Sequence, residues 1–342
     1  MLSVGRRPVQ RPGRNRMRAA VGCAVAAIAL LAGCQASGGS TAATQAPTGS
    51  SVTVALVPGV GNAPLYVAQQ EGLFRKAGLR VTIRPYPSVK AEVAALRSGS
   101  ADVAFGDYAD FFYAQESDVH APVVVVADAY DAGPNVMDVL VPPGSTIGTP
   151  QDLAGKTVGT AEPQLLPHRG GSPYSLDTVA AYSVLLNDGV QPTNVTWRPM
   201  PTGDLIGALR AHQVDAILVT EPQIYEAEAQ LGARAVIDAC SGEAVNLPLD
   251  GYFAPASFAR RHAAALTAFR SALTHAQADA PPASLHAVLT RYAGVSSQAS
   301  SLITLGEYAT SLNVISLQRV ADMMSFYGAL PRPLDVAHMV FR

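Results

Sequence analysis

The sequence predicts an α/β protein made of two similar lobes that enclose a cleft. Short apolar runs alternate with helix-like segments from residue 52 to about residue 239, and the pattern pauses near residue 130 before restarting at 157. A helix–turn–strand unit also occurs twice: Ala95-Leu-Arg-Ser-Gly-Ser-Ala-Asp-Val-Ala104 returns as Ala208-Leu-Arg-Ala-His-Gln-Val-Asp-Ala-Ile217. The chain of 342 residues is long enough for two domains of ordinary size, and 49 % apolar content with only 15 % charged residues suits a large core.

Residues 52–57 alternate as a strand, and 63–76 form a helix with Pro64 in its first turn and Gly78 positioned to end it. A strand at 81–84 and a helix at 89–98, closed by Gly99, follow. Then come a short strand at 103–105 and a fully apolar one at 123–127, as in a buried parallel sheet. The second series opens with a strand at 157–160. Ser172-Pro173 then starts a helix running to about residue 187, with serine as N-cap and proline in the first turn. Segments at 195–198, 205–211, 216–219 and 235–239 continue the alternation. Helices are expected at 256–278, 284–292, 300–310 and 316–327.

The N-terminus differs from the rest. Six arginines precede residue 19, an apolar run spans 19–31, and no acid occurs before Glu71. The run is shorter than the roughly 20 residues a membrane span needs and matches the basic, apolar and small-residue parts of a secretory signal. It ends in Leu31-Ala-Gly-Cys34, which resembles a bacterial lipobox; this implies removal of residues 1–33 and lipid on Cys34. Residues 34–51, mostly small and polar, then serve as a flexible tether. Taking the six arginines from 24 basic residues leaves 18 against 26 acidic ones, a formal net of −8. That balance excludes a basic nucleic-acid surface. Of three cysteines only Cys240 remains in the mature body, as a small apolar residue without a disulfide.

The turn Val57-Pro-Gly-Val-Gly-Asn-Ala-Pro64 between the first strand and helix poses a question of chemistry. A dinucleotide loop needs a third glycine, where Pro64 stands, and an acid ending the next strand, where Pro85-Tyr86-Pro87 stand. A P-loop needs Gly-Lys-Ser/Thr, which is absent. A tight turn without ligand, or a lip that receives a small polar solute at free backbone N–H groups, both remain. The seven histidines show no metal-type pairing, and Gly144-Ser-Thr-Ile-Gly148 misplaces the serine of a nucleophile elbow. No catalytic residue, metal or cofactor is expected.

Asn62-Ala-Pro-Leu-Tyr-Val-Ala68, Glu71-Gly-Leu-Phe74, Ala77-Gly-Leu79, the Ala-Leu-Arg-Ser-Gly-Ser-Ala-Asp-Val passage and Glu221-Pro222 together resemble the NMT1/THI5-like and SsuA-like solute-binding proteins of ABC transporters. The resemblance covers about residues 52–258. It implies a type II periplasmic-binding-protein fold: two doubly wound α/β lobes joined by two crossover strands, near 137–141 and 251–254. Lobe one would be 52–138 plus 252–342, and lobe two 139–251. It implies a monomer that closes on a small-molecule solute, works with permease and ATPase subunits and sits at the membrane through its lipid. The same fold is used by some metabolic enzymes, so an enzyme, or a sensor lipoprotein, is the alternative.

Ligands of open α/β sheets lie outside the carboxyl ends of strands. The repeat sets Asp107 and Tyr108 opposite Thr220 and Glu221 at those ends. The candidate ligand-binding residues are Asn62, Pro64, Tyr66, Asp107, Tyr108, Tyr130, Ser172, Ser175 and Glu221. Asp110, Glu162, the 168–175 loop, Thr202 and Gly203 are further candidate cleft residues, and Arg169 and His168 are the basic groups opposing the acids there. An anion such as a sulfonate or nitrate would use helix N-termini and Arg169; an amino heterocycle would stack on tyrosine and donate to Asp107 or Glu221. The excess of acids favours an aminopyrimidine-like or other neutral-to-cationic solute.

Overall fold

A computed structural model describes residues 49–117, 122–163, 165–166 and 175–342. Cys34 and the signal segment, Ser172, His168 and Arg169 lie outside the described residues. Residues 43–342 form one compact unit, and everything below concerns it.

The first sheet grows from β1 (Ser50–Leu56), α1 (Ala63–Gln70), α2 (Leu73–Lys76), β2 (Leu79–Pro85), α3 (Val89–Ser98), β3 (Val103–Asp107), α4 (Tyr108–Ser117) and β4 (Val123–Asp131). The chain then passes through residues 132–136 into β5 (Met137–Val141), which belongs to the second sheet with β6 (Thr157–Ala161), α5 (Leu176–Asn187), β7 (Thr196–Met200), α6 (Leu205–Arg210), β8 (Ala216–Thr220), α7 (Gln223–Leu231) and β9 (Arg234–Asp238). Residues 239–247 lead back to β10 (Pro248–Pro255), and α8 (Ala256–Arg261), α9 (Ala263–Asp279), α10 (Pro282–Tyr292) and α11 (Val314–Phe326) complete the chain.

Strand order is β2-β1-β3-β10-β4 in the first sheet and β7-β6-β8-β5-β9 in the second. Each sheet therefore takes one antiparallel strand, β10 or β5, as the neighbour of its third parallel one. This repeats one topology twice, as the internal sequence echo predicts. Sequence-based lobe boundaries at 138/139 and 251/252 fall inside β5 and β10, both hydrogen-bonded to one sheet along their length. A strand in register cannot be divided between two bodies, so the sheets change hands in the loops on either side. β1 likewise starts at Ser50, paired with Leu79, so the tether ends earlier than 51.

Local chemistry explains several departures from the expected elements. The helix expected at 63–76 breaks at Gly72, whose φ of 69° is left-handed. The helix expected at 256–278 breaks at His262. Two helices have no sequence counterpart above: α4, which follows β3 without a turn residue, and α7. The segment 300–310 contains a single 3-10 turn, Ala299–Ser301, and otherwise runs extended across the molecule. The helix expected from Ser172 starts, where described, after Ser175, which accepts the Thr178 N–H as its N-cap.

Aromatic layers hold the first lobe together. Phe111 stacks on Phe253 with ring centres 3.9 Å apart, and Tyr108 meets Phe253 edge-on. Tyr108 is fully buried and donates to Asp128 Oδ1 at 2.9 Å. A Cβ on Gly251 would lie 2.6 Å from the Tyr108 hydroxyl and 2.7 Å from its Cζ. Gly207, in α6, has nothing within 4 Å of such an atom. Gly251→Ala should therefore destabilise by about 1–3 kcal/mol, the usual cost of overpacking. Gly207→Ala should stabilise by roughly 0.5–1 kcal/mol through helix propensity. Calorimetric melting of the two variants checks the opposite signs.

Candidate functional site

The carboxyl ends of the two sheets face each other across two cavities. The outer one, about 390 Å³, is walled by Val57, Ser88, Val89, Asp107, Asp110, Ala161, Glu162, Ser175, Asp177 and Thr202 among others. The inner one, about 160 Å³, is walled by Val60, Asp107, Tyr130, Met137, Leu176, Asp177, Thr220, Glu221, Leu249 and Asp250. Asp107 and Asp177 belong to both walls. A larger cavity of about 530 Å³, beside α9 and the C-terminus, is lined by Thr267, Arg270 and Phe341. It takes residues from the first lobe only, whereas the cleft takes them from both and sits where α/β folds receive ligands.

The strand ends deliver the acids. β3 ends at Asp107, whose Oδ1 accepts the Ala109 N–H, and α4 carries Asp110. Ser175 and Asp177 open α5, and β10 places Asp250 directly across the ladder from Asp107. No lysine, arginine or histidine lines either cavity among the described residues. Burial is the first cause of every shift here: with neighbouring acids adding to it, it pushes Asp110 and Asp250 up to about 7, and by itself it pushes Asp177 to about 6. Asp107 is raised well above the usual carboxylate range by burial and then by Asp110 and Asp250, and burial raises Glu221 as well. Beneath them Glu92 on α3 is 1 % exposed, with neither carboxyl oxygen hydrogen-bonded. Burial pushes it to about 9, opposed by the Val57 N–H, which lies near without reaching hydrogen-bond geometry.

Comparison with known proteins fits this architecture. The family model described as NMT1/THI5 like matches residues 61–281, more than half of the chain. The chain belongs to the NMT1/THI5-like family. Its structure is similar to that of the periplasmic aliphatic sulphonate binding protein SsuA from Escherichia coli, with a TM-score of 0.70 at 20 % identity over 85 % of this chain and 97 % of that one. The periplasmic nitrate-binding protein NrtA from Synechocystis PCC 6803 matches with a TM-score of 0.62 at 14 % identity, covering 86 % and 85 %. The desulfurization enzyme DszB matches with a TM-score of 0.63 at 16 % identity, covering 85 % and 96 %. No curated protein matches the sequence. At these identities the structural likenesses establish the periplasmic-binding-protein fold.

Within this NMT1/THI5-like frame the structure gathers some of the expected site residues and removes others. Asp107, Tyr130, Ser175 and Glu221 line the cavities, as do Asp110, Glu162, Thr202 and Thr220. Asn62 does not: it is fully buried, and its side chain braces the turn, donating to Val57 O at 2.8 Å and accepting the Gly59 N–H. Pro64 is buried in the first turn of α1. Tyr66 stacks on Tyr292 of α10, ring centres 4.2 Å apart, because α1 turns that face toward the helical layer. Tyr108 points into the core, as described above.

Asp177 and Asp250 were not among the expected residues. Asp177 looks like an ordinary first-turn acid complementing a helix dipole, and nothing in one strand announces that Asp250 will lie across from Asp107. Gly61 also gains a reason. A Cβ there would lie 2.6 Å from Asp250 Oδ2 and 3.0 Å from Phe105. The glycine turn makes room for a protein carboxylate, not for a phosphate.

Two of these acids also join the lobes. Asp110 Oδ1 accepts the Leu165 N–H of the second lobe at 3.2 Å. Glu221 Oε1 accepts the Thr304 N–H at 2.9 Å, while its Oε2 accepts the Tyr225 N–H at 3.2 Å. Thr304 belongs to the extended segment before α11. There Gly306 N–H donates to the Tyr130 hydroxyl at 2.6 Å and the Tyr308 hydroxyl donates to Val60 O at 3.0 Å.

The acid cluster makes stability depend on pH in a defined direction. In an unfolded chain aspartates titrate near about 4, whereas in the folded one Asp110 and Asp250 titrate at about 7 and Asp177 at about 6. Between those values the folded state holds more protons, so stability falls as pH rises, by up to about 1.4 kcal/mol per pH unit for each group. Glu92 and Asp128, at about 9 and about 8, act in the same direction. The ligand-free full chain should therefore melt several degrees higher at about pH 5.5 than at about pH 8. Asp177→Asn and Asp250→Asn should each flatten that dependence. A melting temperature that rises over this interval contradicts the assignment.

Proposed function

We propose that the chain is the extracytoplasmic solute-binding subunit of an ABC importer, lipid-anchored at Cys34, which captures a small amine-bearing solute by closing its two lobes. Family membership and the two-lobed fold, shared with sulfonate- and nitrate-binding proteins, support the binding role. The hinge would lie in the paired passages 132–136 and 239–247, and permease and ATPase subunits would take the loaded form. No helix among the described residues is long and apolar enough to cross a membrane, so the N-terminal segment carries the proposed anchoring.

One observation carries the choice of solute: Asp177 and Asp250 face the cavities and accept no hydrogen bond from the described residues. Unpaired carboxylates in a low-dielectric cleft disfavour an anion and reward a cation or an N–H donor. A protonated aminopyrimidine-like ring meets both needs, with Tyr130 beside it in the inner cavity. The likeness to DszB keeps an enzyme as the second reading. Against it, the cavities' hydroxyls, Ser88, Ser175, Thr202 and Thr220, have no histidine beside them among the described lining residues, and the Cys240 thiol is buried outside both cavities and pushed up by that burial.

Asp177→Asn tests the reading. It keeps the shape of the side chain and removes its charge. A charge-assisted hydrogen bond contributes roughly 1.5–3 kcal/mol, so affinity for an amino ligand should fall by about one to two decades. Affinity for taurine or nitrate should stay the same or rise. Titration calorimetry of wild type and variant against both ligand types reads the sign, and a loss of sulfonate affinity would refute the amine reading.

A further inference from the structure

The cleft holds more carboxyl groups than one cationic centre can match, and they are divided between two chambers. The outer chamber has Asp110, with Glu162 at its exposed rim; the inner one has Asp250 and Glu221. Asp107 and Asp177 stand at the waist. Asp110 and Glu221 are partly satisfied by backbone N–H groups, but Asp177 and Asp250 accept none from the described residues. Asp250 also faces Asp107 across the ladder, a like-charge pairing that weakens a sheet. Glu92, almost wholly buried and with neither oxygen hydrogen-bonded, lies within electrostatic reach of Asp110 in one chamber and Asp250 in the other.

These groups are spread out. Among the described residues no three acidic, histidine or cysteine side chains converge closely enough to hold a metal ion. An extended ligand fits the distribution better than a point charge does. A single ammonium in the outer chamber would leave Asp250 and its neighbours uncompensated in a low-dielectric wall, where an unpaired charge is costly.

We propose that the solute is an organic dication, two protonated nitrogens joined by a short apolar spacer, lying lengthwise through the waist. One nitrogen would meet Asp110 and Asp177 in the outer chamber, and the other Asp250 and Glu221 in the inner one. Leu176, Val60 and Leu249 give the inner chamber apolar surface for the spacer, and the Tyr130 ring offers a π-face to the inner cation. The inference rests on the amine reading of the same cleft and narrows it.

Titration calorimetry of the full chain near neutral pH with putrescine, butylamine and 4-aminopyrimidine tests it, with taurine, nitrate and calcium chloride alongside. Putrescine should bind about tenfold or more tightly than either monoamine, the scale of one added charge-assisted contact. Asp250→Asn should erase that advantage, lowering putrescine affinity by about tenfold more than it lowers butylamine affinity. Melting curves confirm that the variant is folded; relief of the like-charge pair favours it. Butylamine or 4-aminopyrimidine binding as tightly as putrescine overturns the dication and leaves the amine reading standing. Calcium binding in place of putrescine overturns the dication in favour of a metal site. Taurine or nitrate binding, with no amine bound, overturns both readings.

Discussion

Asp107 and Asp250, held opposite each other where β3 meets β10, set the conditions for the whole cleft. The ladder fixes their backbone positions, and both carboxyl groups are largely withdrawn from solvent. Two like charges in such a place keep protons at pH values where ordinary aspartates have lost them. Asp110 and Asp177 extend the same arrangement toward the outer chamber. The chain thus accepts a standing electrostatic cost at its binding surface, as functional sites commonly do. On the proposed reading, a cation would turn this cost into affinity.

The second sheet repeats the device on a smaller scale. Asp138 of β5 faces Asp238 of β9, and Asp138 Oδ1 is buried without a partner. Burial and then Asp238 raise Asp138 to about 7. Both antiparallel strands that enter the otherwise parallel sheets therefore carry an acid set against another acid. The symmetry of the two lobes extends from strand order to the placement of charge.

Closure of the lobes and recognition use overlapping groups. Asp110 and Glu221 hold backbone N–H groups across the cleft, so part of the contact between the lobes is made by residues that also line the cavities. A ligand can shift the open–closed balance only by binding one state better than the other. The extended segment around Thr304, Gly306 and Tyr308 adds a strap from the C-terminal region, with Gly306 packed so closely against Asp131 O and Tyr130 that no side chain fits there.

The sequence by itself determined the architecture. Strand–helix alternation, the repeated Ala-Leu-Arg unit and the motifs from Asn62 to Leu79 sufficed for two α/β lobes, because periodicity and repetition are local properties of a chain. They also located the cleft at the ends of β3 and β8, where Asp107, Thr220 and Glu221 do lie. Which side chains face it was decided by tertiary packing. Tyr66 and Tyr108 are aromatic residues in the right neighbourhood, yet the helical layer takes one and the core takes the other. Asn62 is consumed by its own turn. Asp177 and Asp250 reach the site from a helix start and a returning strand far apart in sequence. Residues 304–309 fall where the sequence predicts a helix, and tertiary hydrogen bonds to Glu221, Tyr130, Asp131, Val60 and Ala129 hold them outside one. Burial and charge proximity are sums over the folded molecule, so no window of sequence contains them.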